Sequence, residues 1–352
     1  MYNQSVMPKT SPHKQPQDAT LSVIIPVYNA EQWMPDTLDR LWKSLSKSNW
    51  RRIEIIVVDD GSTDNTAKVV RGIKLDQKIK LVVQKNAGRF MARKKGLAVA
   101  KGDYVFFIDS RVFAGPGSFK YLATQMQKNP EAVIWNGHVE VDRQGNWYAR
   151  FWHTVTFIAW RRYFKNPKLT HYGLADYDYY PKGTTCFLAP RQVFLDAYAQ
   201  FKTGYQDLGN ANDDSALIRY MVKQHDIYIA PQFSFTYHSR STLKAFMKHT
   251  THRGVVFIDG FLKPGTRYFV PLIIVLSVLP LALPILILFP WLIFVGLITY
   301  LSGLLVVLLL GVKLADAIAF IAVLPIFAVF YAVGLYKGLY LKFRNRNAVA
   351  SS

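Results

Sequence analysis

Apolar runs alternate with mixed apolar and polar segments along the first third of the chain. Four runs rich in β-formers predict strands: residues 21–29, 55–58, 81–83 and 104–108. Three segments between them predict helices: residues 31–46, 63–73 and 92–100. Strands that alternate with helices in this way indicate βαβ units and a largely parallel sheet.

The second predicted strand ends abruptly in acidic and small residues. Residues 55–58 carry no charge, which is typical of a strand buried on both faces, and Asp59, Asp60 and Asp64 follow closely. Ligands bind at this edge of an open parallel sheet, so we expect the aspartates to meet a polar ligand. Capping of the next helix is the alternative interpretation, and receiver-type signalling domains also carry acidic pairs at strand ends.

The C-terminal part has long stretches without Asp, Glu, Lys or Arg. They run from Tyr268 to Val312 and from Ala317 to Tyr336. A helix that crosses a bilayer needs about 20 apolar residues, so the first stretch is long enough for two spans and the second for one. The sequence therefore predicts a soluble front part followed by hydrophobic helices at about 269–289, 291–310 and 317–336.

A third span creates a conflict over charge. It would place Lys337 and the basic tail, residues 337–352, on the side opposite the soluble part, against the positive-inside tendency. Either the tendency yields here or one apolar segment is re-entrant or interfacial. Prolines 271, 280 and 284 make the first segment the weaker candidate for a straight span. The side of the tail stays open.

Residues 238–267 join the soluble part to the apolar part. They contain six Lys or Arg against one acidic residue, Asp259, and their apolar residues recur on one helical face. This pattern predicts a basic amphipathic helix in the headgroup plane, interrupted at Gly254. A helix packed on the domain is the alternative.

Net charge and cysteine content indicate which partners and which cellular compartment to expect. The formal charge of the 352-residue chain is +20, from 43 Lys and Arg against 23 Asp and Glu, which favours a surface facing anionic lipids and phosphorylated substrates. No nucleic-acid recognition motif is present, so nucleic acid is not expected as a partner. The single cysteine, Cys186, excludes an internal disulfide and predicts a buried thiol in a reducing cytosol. Residues 1–20 predict a disordered tail, and no signal-peptide pattern argues for export.

Three motifs, in order, resemble a known family. VIIPVYN, IIVVDDGSTDNT and QKNAGRFMARKKGLAVAKGDYVFFIDS are similar to the nucleotide-sugar half of family 2 glycosyltransferases with the GT-A fold. The resemblance covers residues 21–111 closely. It implies an α/β fold, with a Rossmann-like mixed sheet and helices on both faces. The domain would span 21–237, with its acceptor half at 112–237.

The resemblance also implies a donor site. In the family the end of the first strand and the Asp pair hold the nucleoside, so Pro26, Tyr28, Asp59 and Asp60 would line the base and ribose pocket. Carboxylates suit this role because they accept hydrogen bonds from a base N–H or from ribose hydroxyls.

A second donor segment follows the third strand. Asn86, Gly88 and Arg93 resemble the family's Arg-Asn-x-Gly region, in which the arginine lies near the diphosphate, although Lys94 stands where asparagine is usual. A guanidinium fork matches phosphate oxygens better than a lysine does. A solvated basic helix face is the alternative.

The metal motif departs from the family at residues 109–111. The family usually has Asp-x-Asp, which holds Mg²⁺ or Mn²⁺, whereas this chain has Asp109, Ser110 and Arg111. Asp109 could hold the metal with help from elsewhere, Arg111 could contact phosphate itself, or the site could be inactive. We favour the first, with His238 as a further ligand, and expect activity to require a divalent cation.

An acidic pair later in the chain suggests a base. Asp213 and Asp214 resemble the family's Glu-Asp motif at the start of a helix, with Asp214 aligned to the catalytic base. N-capping, which Asn212 also suits, is the alternative. A hydroxyl acceptor must lose its proton as it attacks, whereas a phosphate arrives ionised, so the pair favours a hydroxyl on a lipid-linked sugar.

Together these features predict an inverting glycosyltransferase of the plasma membrane. It would be multi-pass, with a cytoplasmic catalytic domain that uses a nucleotide-diphosphate sugar and a membrane-associated acceptor in envelope polysaccharide or glycolipid synthesis. The alternatives are a catalytically silent membrane scaffold, which Arg111 supports, and a polyprenyl-phosphate glycosyltransferase. A processive synthase is disfavoured because no Gln-x-x-Arg-Trp motif occurs. The sequence names neither the sugar nor the oligomeric state.

Overall fold

A computed structural model describes residues 13–350, with the backbone alone for Leu283 and residues 345–350. Residues 1–12 of the predicted disordered tail lie outside the described residues. The structure differs from that prediction at residues 13–20, where a 3₁₀ turn at Pro16–Asp18 leads into the first strand. The Lys14 ammonium lies 2.7 Å from the Asp103 carboxylate, and this ion pair ties the segment to the domain.

Nine strands form one sheet within the described residues. They are β1 (Thr20–Val27), β2 (Arg52–Asp59), β3 (Ile79–Val83), β4 (Tyr104–Ile108), β5 (Val112–Ala114), β6 (Ile134–Val141), β7 (Thr170–Tyr172), β8 (Cys186–Pro190) and β9 (Ile227–Tyr237). The order is β3-β2-β1-β4-β8-β6-β9-β5, with β7 on β9. The first four strands are mutually parallel, and β8 pairs antiparallel with both β4 and β6. This mixed sheet matches the predicted fold class.

Helices of the front part pack against the sheet and against each other. They are α1 (Met34–Leu45), α2 (Thr66–Gly72), α3 (Arg89–Val99), α4 (Ser118–Lys128), α5 (Trp147–Ala159), α6 (Arg161–Phe164), α7 (Arg191–Ala199) and α8 (Asp213–Met221). Helix α1 contacts α2 and α4, while α3 contacts β1, β2 and α7. The uncharged run at residues 55–58 is fully buried in the centre of the sheet, because both of its faces are covered.

The C-terminal part consists of helices. They are α9 (Leu243–Phe261), α10 (Phe269–Val278), α11 (Ala282–Leu288), α12 (Leu292–Leu309) and α13 (Leu314–Ala350). A 3₁₀ turn at Leu279–Leu281 separates α10 from α11, so the first predicted hydrophobic helix is broken at its prolines. Two helical segments within the described residues are long and apolar enough to cross a membrane, Leu292–Leu309 and Leu314–Arg344.

Residues 238–267 differ from one continuous interfacial helix. Only Leu243–Phe261 is helical, and its apolar side packs along α13 and not against open space. Phe246 joins a cluster with Phe151 and Val323, and Ile258 joins one with Leu272 and Leu335. Helix α9 therefore connects the front domain to the apolar helices.

Candidate active site

Arg93 is the centre of a buried network of charges. Its Nη2 atom lies 2.8 Å from Asp109 Oδ1, and its Nη1 atom lies 3.1 Å from Asp214 Oδ1. Nη1 also donates a hydrogen bond to the hydroxyl of Thr184, which itself bonds Asp214. Four elements meet here: α3, the end of β4, the loop before β8 and the start of α8. One side chain thus links both halves of the domain.

The position of Arg93 corrects its predicted role. The side chain is 0% exposed, so it is enclosed by protein and cannot touch a donor diphosphate. The alternative of a solvated basic face is also wrong for this residue, although it holds for the exposed Lys94 and Lys95. Burial of a guanidinium is tolerated because carboxylates pair with it, and Arg93 holds Asp109 and Asp214 in place.

Asp213 and Asp214 occupy the first turn of α8. Asn212 caps this helix, since its side-chain oxygen accepts the backbone N–H of Ser215 at 3.3 Å. Both carboxylates are therefore free to face arginines, and capping does not account for them. Arg89 Nη2 lies 3.7 Å from Asp214 Oδ2 and 3.9 Å from Asp213 Oδ1.

The pKa values of the two carboxylates are shifted in opposite directions. Burial raises the pKa of Asp214, but Arg89, Arg93 and the Thr184 hydroxyl outweigh it and hold the pKa well below its usual range. Burial and the charge of Asp214 raise the pKa of Asp213, whose Oδ2 is buried without a hydrogen-bond partner. Asp214 is thus firmly ionised, and it is also the more exposed of the two side chains, at 18% against 7%.

Arg89 is a candidate that the sequence alone did not reveal. It follows Gly88, whose φ of +86° is favourable for glycine, and it opens helix α3 one turn before Arg93. Its side chain is 45% exposed, so it can reach a ligand while facing the acidic pair. Burial lowers its pKa, but Asp214, Asp213 and Asp109 outweigh this and raise it overall.

Further positive charge surrounds this side of the site. Burial lowers the pKa of Arg253 on α9, as do the nearby charges of Arg89 and Arg240, while Asp214 opposes them. Burial and the same three arginines lower the pKa of His252 to about 4. Within the described part of the chain, neither Arg240 nor Arg253 has a carboxylate partner, so their charge is available to an anion.

The predicted nucleoside wall differs in detail from expectation. Asp60 Oδ1 accepts hydrogen bonds from the side chain of Gln84 at 2.7 Å and the backbone N–H of Ala87 at 2.9 Å, and Oδ2 accepts that of Gly88 at 2.9 Å. Asp59 accepts the N–H of Ser62 at 2.9 Å. Both aspartates are buried, so they shape the neighbouring turns.

The other residues that were predicted to bind the donor differ in how exposed their side chains are. Tyr28 is 50% exposed at the end of β1, whereas Pro26 is buried beside Val58. Asn86 is exposed in the loop that Asp60 holds. Neither Asp59 nor Asp60 caps α2, because Asp64 accepts the backbone N–H of Thr66 there at 3.0 Å. Tyr28 is therefore the accessible member of the predicted nucleoside pocket, and Asn86 is accessible in the second donor segment.

The proposed metal ligands do not come together as expected. Asp109 already contacts Arg93 through Oδ1, and its Oδ2 accepts the Thr185 hydroxyl at 3.2 Å. His238 Nδ1 lies 3.1 Å from Asp142, and its ring stacks on Trp33. The described residues contain no group of three or more His, Cys, Asp or Glu that could hold a metal ion. This arrangement does not fit a divalent cation held by Asp109 and His238.

Arg111 is held by an aromatic ring. Its guanidinium carbon lies 5.1 Å from the centre of the Trp33 ring, and its carbonyl accepts the backbone N–H of His238 at 2.9 Å. Burial and the charge of Arg240 lower its pKa, while Tyr237 opposes them. Among the described residues it has no carboxylate partner, so its predicted contact with phosphate stays a prediction.

The mixed sheet with its flanking helices matches the predicted GT-A nucleotide-sugar transferase class of fold. Residues 22–194 match the model of the family described as glycosyl transferase family 2. This match covers just under half of the chain, so the segment is similar to family 2 glycosyltransferases, which agrees with the predicted enzyme class, glycosyltransferase.

Known relatives match only part of the chain. "Glycosyltransferase GlyG" of Streptococcus pneumoniae is 31% identical over 131 residues, 36% of this chain and 42% of that protein. "Undecaprenyl-phosphate 4-deoxy-4-formamido-L-arabinose transferase" of Proteus mirabilis is 32% identical over 133 residues, 37% of this chain and 40% of that protein. The chain thus spans less than half the length of these two curated relatives.

A solved structure is also similar. TarS 1–349 of Staphylococcus aureus in complex with UDP has a TM-score of 0.48 and 19% identity, over 68% of this chain and 65% of that one.

Proposed function

We propose that the protein transfers a sugar from a nucleotide-diphosphate sugar to a membrane-associated acceptor, with inversion at the anomeric carbon. The observation that carries the proposal is the ionised, partly exposed Asp214 beside the exposed Arg89. A single displacement needs a group that takes the acceptor proton and a positive charge that stabilises the leaving diphosphate. These two side chains supply both requirements.

Asp214 would act as the base. Its lowered pKa makes it a weak base, but the attacking hydroxyl becomes strongly acidic as its oxygen bonds to carbon, so a weak base suffices. Arg93 and Thr184 would hold the carboxylate in one orientation, since each bonds to Oδ1 and leaves Oδ2 toward Arg89. Asp213, whose pKa is raised, would support the helix start beside it.

Arg89 takes the role that the sequence assigned to Arg93. It stands at the N-terminus of α3, where backbone N–H groups also favour an anion, and almost half of its side chain is exposed. Arg111, which lies against Trp33, would contribute further charge to the donor phosphates. The divalent cation expected from the resemblance stays a prediction, and no step of this proposal depends on it.

A polyprenyl-phosphate acceptor is the second candidate. The unpaired charges of Arg240 and Arg253 favour it, because a phosphate acceptor needs positive charge and no base. The name of the Proteus mirabilis relative, undecaprenyl-phosphate 4-deoxy-4-formamido-L-arabinose transferase, supports the same candidate. The front domain would be cytoplasmic and attached to the membrane by its apolar C-terminal helices.

The test is sugar transfer by the full chain in membranes, with a panel of nucleotide sugars and with hydroxyl or phosphate lipid acceptors. With a hydroxyl acceptor, Asp214→Asn should lower kcat about 10²- to 10⁴-fold because the base is lost. Asp39→Asn, an exposed change on α1, is the matched control and should be silent. Parallel reactions in excess chelator decide whether a cation is needed.

Each outcome has a distinct meaning. Transfer to phosphate acceptors that survives Asp214→Asn would favour the second candidate. A wild-type protein that is inert with every donor and membrane extract would refute the enzyme and favour the silent scaffold.

A further inference from the structure

Helix α13 contacts the front domain at two points, one near its start and one further along. Near its start, Asp316 is 2% exposed and lies 2.7 Å from Arg143 and 2.8 Å from Arg150, both of which belong to the front domain. Further along, the Tyr205 hydroxyl donates to the carbonyl of Gly338 at 3.1 Å. The two attachment points are 22 residues apart, or roughly 33 Å along a helix axis at 1.5 Å per residue.

Between these points α13 runs side by side with α9 and in the same direction. Phe246 packs on Val323 near the start of α9, and Lys342 Nζ donates to the carbonyl of Leu262, just after its end, at 2.6 Å. Glycines bring the backbones together, because a Cβ at Gly254 would lie 2.8 Å from the Leu335 nitrogen and one at Gly334 would lie 2.9 Å from the Gly254 Cα. The two helices form one unit.

This unit is incompatible with a membrane-crossing α13. A hydrocarbon core is about 30 Å thick, so a crossing helix would place Asp316 and Gly338 on opposite sides, yet the front domain binds both. Crossing would also pull α9 into lipid, and α9 carries exposed Lys244 and Lys248, whose burial there is costly.

The opposite side of α13 and the preceding helices are apolar and exposed. Only 6% of the Leu292–Leu309 segment is buried. Large apolar side chains of α13 point away from α9 and into open space: Leu314, Ile318, Val329, Val333 and Phe343. Exposed basic residues flank this surface at Lys313, Lys337 and Arg344, as expected next to anionic headgroups.

We propose that α13 lies along the membrane surface on the catalytic side and that only the α10–α12 hairpin enters the hydrocarbon. The hairpin starts next to α9 and returns to the domain, since Arg161 Nε donates to the carbonyl of Leu310 at 2.9 Å. The basic tail then stays with the catalytic domain, which removes the conflict with the positive-inside tendency. This inference rests on the proposed membrane attachment but not on the transfer reaction.

Single cysteines test the arrangement in the full chain. Lys313→Cys and Arg344→Cys change exposed residues on either side of the apolar part of α13, and Lys47→Cys marks the catalytic domain. The parent protein, with its buried Cys186, supplies the unlabelled background. Each protein is treated with a membrane-impermeant maleimide in inverted vesicles and in intact spheroplasts, and labelling is read by gel shift.

The inference expects Lys313→Cys and Arg344→Cys to label in the same preparation as Lys47→Cys and to lose all labelling in the other. The inference would be overturned if Lys313→Cys or Arg344→Cys labelled only in the preparation in which Lys47→Cys does not. It would also be overturned if either failed to label in the preparation in which Lys47→Cys does. Recovery of the protein in the supernatant, alone or as an oligomer that covers its apolar surface, would refute membrane attachment itself. If the variants label as expected but the parent protein transfers no sugar, only the proposed reaction is refuted.

Discussion

The chain contains two pairs of adjacent aspartates, and the two pairs make different contacts. Asp59 and Asp60, at the end of β2, bind mainly backbone N–H groups, and neither is accessible. Asp213 and Asp214, at the start of α8, face two guanidinium groups; burial and the charge of Asp214 raise the pKa of Asp213, whereas the arginines outweigh burial and lower the pKa of Asp214. The comparison shows that the partner of a carboxylate, and not the acidic motif, decides whether it holds a loop or faces a cluster of charges that could take part in a reaction.

The largest expected effect comes from a substitution that removes an arginine partner of the second aspartate pair. Arg93→Gln removes the cation between Asp109 and Asp214 and leaves both carboxylates without their buried partner. Breaking a buried ion pair in this way costs about 3–5 kcal/mol in free energy of unfolding. Thermal melting of the detergent-solubilised protein measures this.

Lys94→Gln is the matched control, because it removes an exposed charge from the next position of the same helix. It should change stability by less than about 0.5 kcal/mol. Equal melting temperatures for the two variants would contradict the central role of Arg93.

A smaller effect tests the first pair. Asp60→Ala leaves Gln84 and the N–H groups of Ala87 and Gly88 without their acceptor, at a cost of about 1–3 kcal/mol. Because the loop they form is predicted to bind the donor, the donor KM should rise while kcat changes little. Steady-state transfer kinetics and melting curves measure both.

Asp76→Ala, an exposed change in the same half of the domain, should leave both quantities unchanged. If Asp60→Ala lowered kcat as strongly as Asp214→Asn, the distinction between the two pairs would be lost.

The smallest effect concerns pH. Burial and the charges of Arg89, Arg253 and Arg240 lower the pKa of His252 from 6.5 to about 4, with Asp207 opposing them. Below pH 6.5 the unfolded chain therefore takes up a proton that the folded protein refuses, so stability should fall as the pH drops from 6.5 toward 4. His252→Gln should flatten this decline in melting temperature.

His171→Gln, at an exposed position away from the arginines, is the control for that series. Parallel curves for wild type and His252→Gln between pH 7 and 5 would show that the arginine side of the site does not act on His252.

The sequence predicted the first four strands and three helices because their apolar patterns are periodic and local. It did not show which of Arg89, Arg93, Lys94 and Lys95 is buried. That choice depends on how α3 meets the sheet: a Cβ at Gly96 would lie 3.2 Å from the Val58 side chain, so the helix approaches closely there. Arg93, one turn earlier, then points to the same side.

In the C-terminal region, too, the sequence did not reveal contacts between residues that are far apart in the chain. Hydropathy revealed the apolar stretches, and the break at their prolines was expected. The partners of α13 were not visible, because Arg143 and Arg150 lie more than 150 positions before Asp316 in the chain. Composition describes how apolar a helix is, but only its contacts show what it lies against.

The glycine contact between α9 and α13 has a consequence for biosynthesis. Helix α9 supplies Asp259, which accepts the backbone N–H of Asn212 at 2.9 Å and so steadies the start of α8. The apolar side of α9 stays uncovered until α13, the last described helix, has left the ribosome. Because α9 helps to hold the start of α8, the acidic pair would reach its final surroundings only after α13 has been synthesised and, if the hairpin inserts as proposed, close to the membrane.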